Sequence, residues 1–167
     1  MILGLSVQNF TIVHVVISLM AIASGIVVLI GMFGSRRLPG WTAVFLLTTV
    51  LTSLTGFLFP IRGFTPALGT GIVSCVLLAL ALYGLYGKRL AGAWRWIYVA
   101  TASSALYLNV LVLIVQSFQK LPFLKPLAPT QSEPPFVIAQ VIALIAFLLA
   151  GIAAALKFRP AEDPTTG

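Results

Sequence analysis

A chain of 167 residues in which 60% are hydrophobic and only 8% charged cannot clothe itself in polar surface as a soluble domain does, where roughly a quarter of residues are charged. Its length accommodates one domain of apolar runs and short loops, with no room for a separate soluble module. The net charge of +7 does not indicate nucleic acid, because the ten basic residues stand at the ends of apolar runs, where topology determinants and lipid-headgroup contacts lie.

Five apolar runs follow one another along the chain. The first, about residues 10–33, comes after MILGLSVQNF, which lacks Lys and Arg and does not read as a signal peptide, so the run is expected to be retained as a span. It ends at GSRRLPG, where Gly34, Pro39 and Gly40 break a helix and Arg36 and Arg37 meet water or headgroups. The second covers about residues 41–59 and stops at the turn FPIRGFTP; the third covers about residues 68–86 and stops at GKRLAG. The fourth, about residues 94–118, ends at Lys120, and the fifth, about residues 136–158, begins after Pro134 and Pro135. Each is close to the roughly 20 residues that cross about 30 Å of hydrocarbon. The expected fold is an all-α integral membrane protein, a single five-transmembrane-helix bundle over residues 1–160, with a proline-rich loop at 119–135 and a polar tail at 159–167.

Basic residues orient such a bundle. Arg36, Arg37, Lys88, Arg89, Arg95, Lys157 and Arg159 fall on one side, against Arg62, Lys120 and Lys125 on the other. This predicts the N-terminus outside and the C-terminus in the cytoplasm, with the proline-rich loop exoplasmic and the membrane the bacterial cytoplasmic (inner) membrane. Trp41, Trp94 and Trp96 fall at the inner boundary, as an aromatic belt would.

Polar residues inside the spans are the functional signal. On the first span His14, Ser18, Ala21 and Gly25 share a face, and the small residues admit a neighbouring helix closely. On the second, Thr48, Thr52 and Thr55 form one face and Thr49, Ser53 and Gly56 the next. Ala102, Ala105, Asn109, Gln116 and Lys120 align on the fourth, and Gln140, Ala143, Phe147, Gly151 and Ala154 on the fifth. With a rise of about 1.5 Å per residue, His14, Thr55, Gln116 and Gln140 each lie about 6–7 Å inside the same outer boundary, and Asn109 lies deeper. Two uses compete for them: hydrogen bonds that tie helices together at about 0.6–2 kcal/mol each, or the lining of a pocket. In the second case Arg62, Lys120 and Glu133 gate it from the loop, where Pro122, Pro126, Pro129, Pro134 and Pro135 stiffen the backbone into a lid.

Chemistry has few carriers here. No span holds an acidic residue, so a carboxylate relay is unsupported; one His and one Cys on different spans make no metal site, and no catalytic set is expected. With His14 alone, bis-histidine haem requires two protomers, which leaves a quinone or a shared haem as the cofactors to consider. The leading expectation is non-enzymatic binding or passage of a small or lipid-like ligand at His14, Ser18, Thr52, Thr55, Asn109, Gln116 and Gln140. The alternatives are an accessory or assembly subunit of a membrane complex, and a quinone- or haem-associated redox subunit. Expected partners are membrane lipids, a lipophilic small molecule, and a second copy or another membrane protein.

Overall fold

Ser6 begins the first helix: its hydroxyl accepts a hydrogen bond from the Asn9 N–H at 3.1 Å, satisfying one of the donors that a helix start leaves free. Helix α1 runs from Val7 to Phe33, starting earlier than the apolar run because of that cap. Helix α2, Pro39–Gly56, opens on a proline, whose missing N–H would be unpaired there anyway. It ends three residues short of the run expected for it. Helix α3, Pro66–Leu82, ends in a π turn over Tyr83–Gly87. Helix α4 spans Trp94–Lys120 and helix α5 spans Pro134–Lys157, with a 3-10 turn at Lys125–Leu127 between them. Pro134 and Pro135 form the first turn of α5 rather than preceding it, for the same reason that Pro39 opens α2. This computed structural model describes residues 1–60, 63 and 66–160; Arg62 and the tail beyond residue 160 lie outside the described residues.

Four of the helices are long and apolar enough to cross a membrane, as an integral membrane protein requires: α1, α3 with its π turn, α4 and α5. Helix α2 has 18 residues, about 27 Å at the α-helical rise, and is diluted by threonine. It packs between α1 and α3 in the same bundle.

Helix α4 is the hub, touching α3, α5 and α1. Its Val99, Ala102, Ala105 and Leu106 are buried, together with Val28 and Met32 of α1, Phe45 and Leu46 of α2, and Phe158. The helices approach closely at Gly25, where an added Cβ would stand 2.6 Å from Leu106 Cδ1 and 2.8 Å from the Phe45 ring. Only glycine allows α1, α2 and α4 to meet there.

The termini of the helices are tied at one end of the bundle. The Arg95 guanidinium donates to the carbonyl oxygen of Phe158, the Arg159 N–H donates to Ser35 Oγ at 2.7 Å, and the Tyr98 and Phe158 rings lie 6.2 Å apart. Helix α5 is otherwise bare. Of its residues only Ala154 is buried, while Ile138, Ile142, Leu148 and Leu149 stay 56–62% exposed. In water such a face would be untenable; against hydrocarbon it carries no penalty.

Candidate functional site

The start of α1 meets the end of α2 through His14. Its Nδ1 lies 2.7 Å from Thr55 Oγ1, and its ring stacks edge-on against Phe59 with centroids 5.3 Å apart. Thr55 has one proton, which the Leu51 carbonyl four residues back receives at 2.7 Å. With the Thr55 proton on that carbonyl, the histidine donates through Nδ1–H and Nε2 is its acceptor nitrogen; with the proton turned to Nδ1 the roles reverse. Ser18, one turn along, donates to the His14 carbonyl at 2.7 Å and so serves its own helix.

Helix α4 supplies the opposite wall. Asn109 Nδ2 reaches Thr49 Oγ1 of α2 at 3.4 Å, a long bond near the middle of the bundle. Gln140 of α5 donates from Nε2 to the Leu111 carbonyl at 3.3 Å, while its Oε1 is buried without a partner. Gln116 Oε1 and Thr52 Oγ1 are likewise buried and unpartnered. Three oxygens from three helices, α2, α4 and α5, are thus withdrawn from solvent with nothing to bond. An orphaned buried polar atom costs about 1–3 kcal/mol, and a hydrocarbon surrounding offers no water to relieve it.

The expected residues fall into separate pairings. His14, Ser18 and Thr55 form one cluster on α1 and α2; Asn109 joins Thr49; Gln140 joins the α4 backbone. Thr52 sits three residues before Thr55, about 4.5 Å along the helix, and Gln116 lies about 6 Å from the end of α4. All are in the half of the bundle that holds the start of α1.

The loop is fixed to α4 by contacts the sequence did not suggest. Gln131 Nε2 donates to the Val115 carbonyl at 3.0 Å, and Gln119 Nε2 donates to Gln131 Oε1 at 3.2 Å, so the loop is clamped to α4. Gln131 adopts the left-handed region (φ 59°) to do so. Glu133 turns its carboxylate onto its own loop. It accepts from the Thr130 N–H at 3.1 Å, the Thr130 hydroxyl at 2.8 Å and the Ser132 N–H at 3.1 Å. Slight desolvation pushes this carboxyl up, but the Thr130 and Ser132 bonds outweigh it and hold it below its ordinary value. Glu133 is therefore a turn-forming residue, and Lys120 stands exposed at the end of α4. Leu121, Phe123 and Leu127 are exposed as well, because the 3-10 turn directs them away from the bundle; Ala128 is the loop residue that is buried.

Sequence reading missed two groups. Gln119 and Gln131 gave no signal, since their pairing depends on the path of the loop. Ser103, Ser104 and Tyr107 lie off the face shared by Ala102, Ala105 and Asn109, and they line a groove between α4 and α5. Comparison of the chain with protein-family models, with curated proteins and with solved structures finds no match to any of them.

Proposed function

We propose that this protein crosses the membrane five times, N-terminus outside and C-terminus in the cytoplasm of a bacterial inner membrane, and binds a small lipophilic molecule in the outer half of its bundle without catalysing a reaction. The observation that carries this is the set of buried, unpartnered oxygens on Thr52, Gln116 and Gln140. Two of them are amide carbonyls, so the matching ligand donates hydrogens: a hydroxyl- or amine-bearing lipid-like molecule. The clamp of Gln131 on α4 then holds the loop across the mouth. Native mass spectrometry of the purified protein tests this. The wild type is expected to retain a lipophilic species of defined mass, and Gln116→Leu with Thr52→Val to release it while helicity is unchanged. Equal retention in the variant, or no retained mass, contradicts the proposal.

The exposed face of α5 favours a second reading, an accessory subunit whose fifth helix lies against another membrane protein or a second copy. Its distinguishing result is a stable heteromeric or dimeric complex that survives the Gln116→Leu and Thr52→Val changes and is lost when Ile142 and Leu149 are replaced.

A further inference from the structure

Serine and threonine inside a helix ordinarily return their hydroxyl to a carbonyl of the preceding turn. Thr48, Thr49, Thr55, Thr101 and Ser117 all do so here, at 2.7 Å. Ser103 and Ser104 do not. Ser103 is 7% exposed, and its Oγ is fully buried without a hydrogen-bond partner. It faces α5 at Gly151, where an added Cβ would lie 3.9 Å from that oxygen.

Both serines line a groove of about 260 Å³ between α4 and α5, with Tyr107 and Phe147 at one end and Gly151 in the floor. The Tyr107 and Phe147 rings are 6.0 Å apart and inclined at 52°. At the α-helical rise Tyr107 is about 20 Å from either end of α4, at the centre of a membrane, and Ser103 is about 6 Å nearer the Trp94 end.

Unpaired hydroxyls at that depth have no water to bond, and the occupant that relieves them must bring an acceptor. An acyl chain fills the space but leaves every hydroxyl unpaired. Ester carbonyls of membrane lipids stay at the boundary of a hydrocarbon layer about 30 Å thick, about 15 Å from Tyr107. A groove of about 260 Å³ has room for one substituted ring. A helix about 10 Å across does not enter it.

We propose that the groove binds the ring of a lipid-soluble quinone. The ring carbonyls accept hydrogen bonds from Ser104 and Tyr107, and from Ser103 once its hydroxyl turns from Gly151 into the groove; the ring lies beside Phe147, and the tail runs out between α4 and α5 into the bilayer. This site is separate from the outer-half oxygens: its groups are donors, whereas those of Gln116 and Gln140 are acceptors.

The test uses the full chain in lipid nanodiscs, labelled with a photoreactive azido-benzoquinone carrying a decyl tail and competed with decyl-benzoquinone. Saturable labelling is expected at residues 100–107 or 144–155. Ser103→Ala with Ser104→Ala should weaken competition at least about tenfold, on the scale of about 1 kcal/mol per lost hydrogen bond, and Gly151→Leu should abolish it by filling the floor. Ser103→Ala removes only a buried, unpaired hydroxyl, so it leaves folding intact and keeps the test valid if Gly151→Leu fails to fold. Gln116→Leu should leave labelling unchanged, which separates this site from the outer one. Labelling that does not saturate, maps elsewhere, or survives the double serine change overturns the proposal. Equal competition by decane, or protection by a second copy cross-linked through α5, overturns it in favour of an acyl chain or a dimer.

Discussion

The two halves of this bundle are built on different principles. The half holding the end of α1 is held mainly by packing: Val28, Met32, Phe45, Leu46, Tyr98 and Phe158 are buried against one another, the backbone ends are joined by Arg95 and Ser35, and Arg37 Nε and Ser103 Oγ are the buried polar atoms left unpartnered there. The half holding the start of α1 is joined by side-chain hydrogen bonds, and it leaves oxygens of Thr52, Gln116 and Gln140 unused. The first half derives its stability from packing. The second gives up some of it to buried polar groups that the chain itself does not satisfy.

The sharpest way to break this contrast is to empty the packed half. Phe45→Ala deletes a ring that is 1% exposed and packed at the three-helix contact on Gly25. A loss of about 3–5 kcal/mol is expected on the scale of buried aromatic truncations, read as a lowered unfolding midpoint in detergent. A loss under about 1 kcal/mol would mean that the core is not where stability resides.

The polar half should respond by less. In a double-mutant cycle of His14→Ala and Thr55→Val, the coupling energy is expected near 0.6 kcal/mol and at most about 1.7, the range for hydrogen bonds between membrane helices. Zero coupling would show that the 2.7 Å contact does not hold α1 to α2.

The smallest effect belongs to the loop. Because the folded carboxyl of Glu133 is held below its ordinary value, its contribution to the turn is present above the ordinary carboxylate range and is lost as pH falls through the lowered folded value. The amide signals of Thr130 and Ser132 should titrate with a midpoint below 4.5, the ordinary value, and Glu133→Gln should abolish the transition. A midpoint at or above the ordinary value contradicts the bonding described.

Much of the fold was legible because apolar run lengths and Pro/Gly/Arg punctuation act locally. Helix ends were less so: Ser6 extends α1 and Pro134 opens α5 through capping rules that a hydropathy run does not carry. The nearness of His14 and Thr55 followed from depth alone, since both lie close to the same end of adjacent antiparallel helices. Depth does not give the azimuth around each helix. Asn109 therefore finds Thr49 and Gln140 finds the Leu111 carbonyl, instead of all converging on one point. The adjacent pair Ser103 and Ser104 was invisible to face counting, because neighbours in a helix point about 100° apart, at 3.6 residues per turn.

The central claim, that the unpartnered oxygens of Thr52, Gln116 and Gln140 await a ligand, is tested most directly by thermal unfolding of delipidated protein with and without added bacterial lipid extract. A ligand that binds only the folded state raises the midpoint, so the wild type should gain several degrees while Gln116→Leu with Thr52→Val gains none and is no less stable without extract. Equal gains in both proteins, or no gain in either, would contradict the account.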